Sequence, residues 1–140
     1  MIEINNSSTV GEVFFAAAIR YADQPFLAFP ANPERRYAPQ GLELTYAQTA
    51  ALVRRLMTCY SNAGYGLGHR VGLLLENRLE HFFHKLAMNA LGVCCVPLNP
   101  DHRPKEMSYV IDHAQLDLVI VVDELKPLLQ QALELGTERP

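Results

Sequence analysis

Three short apolar runs, at residues 71–75, 93–97 and 118–122, constrain this chain more than anything else in it. Each has the length of a strand, and none alternates with polar residues. The segments between them have helical periodicity. Continuous apolar strands joined by helices imply parallel strands buried on both faces, linked by right-handed crossovers. Residues 78–91 place Leu79, Phe82, Phe83, Leu86, Ala87 and Ala90 on one helical face and stop at Gly92, with Asn77 in the N-cap position. Residues 104–113, with Pro104 suited to a first turn, and residues 124–135 predict two further helices. Residues 68–135 therefore read as a βαβαβα unit.

Residues 1–67 have a different character. Thr9-Val10-Gly11-Glu12 is a capping-box pattern, in which a Thr hydroxyl accepts from a free helical N–H and Glu reaches back. It opens a helix over about 10–21 with Val13, Phe14, Ala17 and Ala18 on one face. Pro25, Pro30, Pro33 and Pro39 then bracket two extended pieces, 26–29 and 42–44, with Arg35 and Arg36 between them. That pattern predicts a small β-hairpin with an irregular tip. A second capping box, Thr45-Tyr46-Ala47-Gln48, starts a helix to about Ala63. Its stripe is Leu52, Val53, Leu56, Met57 and Tyr60, with Arg54 and Arg55 facing away and Gly64 as a left-handed cap. Residues 136–140 read as a loop-like tail. Three parallel strands form a narrow sheet with an unprotected edge. The chain 1–140 is thus expected to be a single partial domain, marginal or self-associating in isolation.

Composition excludes several classes. With 49% apolar and 19% charged residues, the chain is no disordered tail. Twelve basic against fifteen acidic side chains argue against nucleic acid as a partner. No apolar run approaches the ~20 residues that span a bilayer. The opening residues lack a basic segment followed by an apolar one, so a cytoplasmic location is expected. The three cysteines, Cys59, Cys94 and Cys95, fit neither a disulfide framework nor a metal cluster. They read as buried small hydrophobes in a reducing compartment.

Motifs with catalytic overtones fail on context. Gly64-Tyr65-Gly66-Leu67-Gly68 follows a helix and precedes a strand, the reverse of a dinucleotide loop, and reads as cap and turn. His81 and His84, beside Glu80, stand at i, i+3 rather than the i, i+4 of zinc-protease helices. His84 is expected to flank the apolar stripe and His81 to face water. His102, Glu106 and His113 are dispersed, and no Gly-x-Ser-x-Gly elbow exists. The run Asp117–Asp123 is similar to the phosphoacceptor strand of a receiver domain. However, Glu76 is the only acid ending the first strand, and no Lys ends a following one. A self-contained binding module of receiver or flavodoxin shape is the alternative.

Three blocks in order carry a more specific likeness. They are Leu44-Thr45-Tyr46 with Gln48 and Thr49; 68–77, Gly-His-Arg-Val-Gly-Leu-Leu-Leu-Glu-Asn; and 90–100, Ala-Leu-Gly-Val-Cys-Cys-Val-Pro-Leu-Asn-Pro, followed by Glu106 and Tyr109. Together they resemble the N-terminal region of the AMP-forming adenylating superfamily, which includes acyl- and aryl-CoA ligases. The resemblance runs from about Thr9 to Val122. It implies an α/β fold with a parallel sheet and flanking helices, preceded by a helix and small β-hairpin. For a whole enzyme it implies activation of a small carboxylic acid with ATP and Mg²⁺, then capture of the acyl-adenylate by coenzyme A. The family's Ser/Thr/Gly-rich loop ending in Pro-Lys is not in this sequence, nor are its later catalytic residues. The resemblance therefore implies no catalytic residue and no bound cofactor here, and the chain alone is not expected to catalyse adenylation. Its partner would be the remainder of the adenylating domain. By the same resemblance, Lys126 stands near where some relatives contact the nucleotide end of coenzyme A.

Overall fold

The computed structural model describes residue 2 and residues 4–136; the expected tail beyond Gly136 lies outside the described residues. Helix α1 (Val10–Arg20) leads into strands β1 (Pro25–Phe29) and β2 (Leu42–Thr45), then α2 (Tyr46–Asn62). Strand β3 (Arg70–Leu74), α3 (Leu79–Ala90), β4 (Cys94–Pro97), α4 (Pro104–Ala114), β5 (Leu118–Val121) and α5 (Lys126–Leu135) follow. A short 3-10 turn, Asp123–Leu125, separates β5 from α5 and replaces the first turn of the single helix expected over 124–135.

Both capping boxes form. Thr9 and Glu12 exchange hydrogen bonds with each other's backbone N–H at 2.8 and 3.2 Å. Thr45 and Gln48 do the same at 2.9 and 3.2 Å. Each satisfies two N–H groups that a helix start would otherwise leave bare. The hairpin is antiparallel and carries a bulge at Phe26, since Pro25 pairs with Thr45 and Leu27 with Leu44. Phe26 lies 4.4 Å from the Tyr46 ring and 5.3 Å from the Phe14 ring, between α2 and α1. The irregular tip is organised by Arg35, whose guanidinium stacks 3.8 Å from the Phe29 ring and donates to the carbonyls of Pro30, Tyr37 and Ala38.

Strands β3, β4 and β5 are parallel in the order β4-β3-β5. At the entry to β5, Arg70 and Asp117 lock together: Arg70 N–H donates to Asp117 Oδ2 at 2.7 Å, and Asp117 N–H to the Arg70 carbonyl at 2.8 Å. Successive side chains of β3 point to opposite faces. Val71, Leu73 and Leu75 join Phe14, Val53, Tyr60, Phe83 and Ala87 in a core under α1, α2 and α3. Leu74 joins Leu98, Met107, Ile111 and Ala132 in a second core under α4 and α5. Leu73 and Leu74 are fully buried, worth roughly 1.5–3 kcal/mol each. Helices α1 and α3 approach closely because Gly11 has no side chain; a Cβ there would meet Cα and Cβ of Ala90 at 3.0 Å.

Four expectations are corrected. Cys59 and Cys94 are exposed and Cys95 half-buried, so the cysteines are not three core residues. Cys59 lies on the outer face of α2, and β4 is an edge strand covered less fully than a central one. Phe82 is half-exposed, at 49%, because α3 turns Leu79, Phe83 and Leu86 inward and leaves Phe82 at the rim. His81 is half-buried rather than facing water. The residue capping α3 is Arg78, without a side-chain cap bond, while Asn77 is exposed one position earlier. Glu76 takes φ 53°, the left-handed turn that displaces the helix start.

Candidate functional site

Ligands of open parallel α/β sheets bind outside the carboxyl ends of the strands. At that edge this chain assembles one network from three separate segments. Strand β3 ends in Glu76, Asn77 and Arg78, and the turn after β5 supplies Glu124. The Arg78 guanidinium reaches Glu76 Oε2 at 3.4 Å and Glu124 Oε1 at 3.3 Å. The third contributor is the hairpin tip: the Tyr37 ring centre lies 5.0 Å from Arg78 Cζ. Leu79 N–H donates to the Tyr37 hydroxyl at 3.4 Å, and that hydroxyl is in turn hydrogen-bonded to Glu80.

Electrostatics follow from this arrangement. Burial, then the Glu80 carboxylate, pushes the Tyr37 hydroxyl up to about 12. Burial works against the charge on Arg78, but Glu124 and then Glu76 outweigh it and raise its pKa. Glu124 is held below the usual carboxylate range by its own backbone N–H, then by Arg78. The network thus pairs Arg78 with two carboxylates and sets a third, Glu80, on the Tyr37 hydroxyl. It holds Tyr37 as a phenol and Arg78 as a cation, and offers no activated nucleophile.

A second polar pair lies between helices. The Tyr60 hydroxyl stands 2.6 Å from Nδ1 of His84, joining α2 to α3. Tyr60 packs edge-on against Tyr65, and Tyr65 against His69, making a short aromatic ladder. Burial depresses the pKa of His84, and raises that of Tyr60. His84 flanks the core as expected. His81 has its pKa lowered by burial and by Lys85.

The remaining sequence candidates stay apart. Glu106 accepts from Arg103 N–H at 2.8 Å, at the start of α4. His113 stacks on Tyr109, with ring centres 5.4 Å apart. His102 follows β4, its Nδ1 buried without a hydrogen-bond partner. Gly64 and Gly68 have φ of 85° and 92°, as turn glycines do. Asp123 at the carboxyl end of β5 is taken up by Lys126, whose Nζ lies 2.6 Å from Asp123 Oδ1 in an exposed pair. Among the described residues, no three His, Cys, Asp or Glu side chains gather in a way that could hold a metal ion. Arg78 is already shared between two carboxylates and Lys126 is paired with Asp123. These residues do not by themselves fit the triphosphate and Mg²⁺ of ATP.

Sequence reasoning missed the Tyr37–Arg78–Glu124 network and the Tyr60–His84 bond. Both join residues more than twenty positions apart, and single-sequence periodicity contains no term for such pairs. The available signal for the first was positional: a Tyr in a Pro-rich tip and an Arg just past a strand's carboxyl end.

A three-stranded parallel sheet with helices on both faces, preceded by a hairpin, defines the class of fold. Comparison with known proteins narrows it. Residues 14–139 match the family model described as AMP-binding enzyme, and the chain belongs to that family as its N-terminal region. A long-chain-fatty-acid–CoA ligase of Thermus thermophilus is 33% identical over 61% of this chain and 16% of its own length. A medium/long-chain-fatty-acid–CoA/3-oxocholest-4-en-26-oate–CoA ligase of Mycobacterium marinum is 33% identical over 78% of this chain and 20% of its own. The inhibitor-bound N-terminal domain of FACL13 from Mycobacterium tuberculosis shares the fold, with a TM-score of 0.74 and 24% identity over 87% of this chain and 29% of that one. The chain thus spans about a fifth of the curated relatives it matches. Among the described residues, no helix is long and apolar enough to cross a membrane.

Proposed function

We propose that this chain is the opening segment of an ATP-dependent, AMP-forming carboxylate–CoA ligase working in a reducing cytoplasm. The reaction would be adenylation of a carboxylic acid, followed by thioester formation with coenzyme A. The match to the AMP-binding enzyme family over residues 14–139 carries this reading. Both ligases above act on fatty acids by name, which supports an aliphatic carboxylate as the first substrate class to try.

In this reading the 140 residues are scaffold. They build the first strands of a sheet and brace its carboxyl edge, while the groups that bind ATP and Mg²⁺ come from the remainder of the enzyme. Lys126 is the residue assigned to the nucleotide end of coenzyme A. Its partner Asp123 is exposed, and exposed ion pairs contribute only about 0–1 kcal/mol, so a phosphate could replace it.

ATP–pyrophosphate exchange against a panel of carboxylic acids tests the reading. The full-length polypeptide should exchange with at least one acid, and the 140-residue chain with none. Exchange by the short chain would refute its scaffold role. Absence of acid-dependent exchange from the long polypeptide would refute the ligase reading. An unchanged apparent affinity for coenzyme A in a full-length Lys126→Ala enzyme would remove Lys126.

A further inference from the structure

The strand order dictates a crevice at the carboxyl edge of the sheet. Strand β3 leads into α3 on one face and β5 leads into α5 on the other, although β3 and β5 are neighbours. Where adjacent parallel strands send their chains to opposite faces, a gap opens between their carboxyl ends, and ligands of such sheets bind there. In this chain the gap is covered. The Arg78–Glu124 ion pair bridges it, and the hairpin tip, residues 30–41, lies across it. Tyr37 rests on Arg78 at one side, and Arg36 helps hold Glu124 ionised at the other.

The tip is tied mainly to itself. Asn32 N–H donates to the Pro39 carbonyl and Gly41 N–H to the Ala38 carbonyl, both at 2.9 Å, around the Arg35 guanidinium. At the neck Gly41 has φ 80°, and a Cβ there would meet the backbone of Phe29 and Ala31 at 2.9 Å. The arm beneath is a two-stranded ribbon, a form that is only marginally stable alone. The hold on the crevice is weaker than these internal ties. Leu79 N–H, at the first position of α3 and so without an acceptor in its helix, reaches the Tyr37 hydroxyl at 3.4 Å. Two polar atoms of the residues that Tyr37 touches, Arg78 Nε and Glu80 Oε2, are buried with no hydrogen-bond partner. Unpaired buried groups penalise the closed position, and water would satisfy both once the tip lifted.

We propose that residues 30–41 form a strap that exchanges between this closed position and a lifted one, in which the crevice between β3 and β5 is open. Tyr37 is the latch, and the attraction between Arg36 and Glu124 adds to it. The strap is a property of the chain's own fold and stands apart from the ligase reading.

Two readouts on the full-length polypeptide test this. Amide exchange at Leu79 reports the latch. Carbodiimide coupling of an amine to Glu80, scored by mass spectrometry against the exposed Glu76, reports access to the crevice. In the wild type both rates should be insensitive to urea below the unfolding transition, as local opening is. Tyr37→Phe should speed both by about 10-fold, the worth of one hydrogen bond. Arg36→Glu leaves Tyr37 and Arg78 in place and should speed both by roughly 3-fold, within the range of an exposed ion pair. Rates that climb with urea in parallel with global unfolding would overturn the proposal, because the tip would then leave only when the whole chain unfolds. Reaction of Leu79 and Glu80 at fully exposed rates in the wild type would also overturn it, since no closed position would exist. A Glu80 rate unmoved by either substitution would do the same.

Discussion

Tyr60 and His84 meet at 2.6 Å, hydroxyl to Nδ1, at the point where α2 and α3 cross. Tyr60 is buried and His84 partly so, which makes this bond one the two helices form at the expense of water. Tyr60→Phe removes the donor and leaves a ring nitrogen without its partner. A loss of about 1–2 kcal/mol is expected, read as a lower urea midpoint with unchanged slope.

The same pair gives a pH dependence whose sign is fixed. Burial lowers the pKa of His84 in the folded protein below its ordinary value of 6.5. The unfolded chain then binds the proton more readily, so stability is full above about pH 6.5 and falls as pH drops below it. The half-buried His81 adds in the same direction. Melting temperature should be level between pH 7 and 8 and decline from 6.5 downward. His84→Gln should flatten part of that decline; an unchanged slope would show that His84 is not the group responsible.

At the carboxyl edge, Tyr37 ties the hairpin tip to the start of α3. Tyr37→Phe keeps the ring over Arg78 but loses the bonds to Leu79 N–H and Glu80. The tip, which contains Arg35 and Arg36, should then be cut faster by trypsin. Global stability should fall by about 1 kcal/mol. Equal cleavage rates in the two proteins would mean that Arg35, not Tyr37, holds the tip in place.

Gly11 allows α1 onto α3. Gly11→Val puts a branched side chain where even a Cβ would lie 3.0 Å from the Ala90 backbone. The helices must separate, at a cost of about 1–3 kcal/mol, measurable by thermal unfolding.

The cysteines should divide by exposure. Cys59 and Cys94 are open to a thiol reagent, whereas burial raises the pKa of Cys95 and leaves less thiolate to react. Mass spectrometry after brief alkylation should find two modified sites, with Cys95 following slowly.

Much of this architecture was legible because it rests on local rules. Thr9 with Glu12 and Thr45 with Gln48 announce helix starts within four residues, and the apolar runs announce strands, although only β3 is buried while β5 is half-buried and β4 exposed at both ends. Pro104 stands at the first turn of α4 as its fixed φ requires. What failed needed neighbours. Phe82 fits its helical stripe by spacing, yet about half of it stays exposed at the rim. Asn77 is a good capping residue, but the left-handed turn at Glu76 moves the helix start past it. Adjacent Cys94 and Cys95 resemble a buried strand, and only the strand order shows that theirs is an edge. The polar networks were illegible for the same reason, since Tyr37 and Arg78 become neighbours only after the hairpin folds back.

Leu73 and Leu74 are consecutive, fully buried and aimed into different cores. The two packed layers meet through the sheet, whose β4 and β5 also send alternate residues to each side, so changes confined to the helices of one layer should combine additively with changes in the other. β3 is the strictest case, because its residues from Val71 to Leu74 are buried and a substitution there is felt on both sides at once. Over generations of sequence drift, α1–α3 and α4–α5 can each be repacked on their own terms, while β3 must satisfy two sets of neighbours and is the least free to vary.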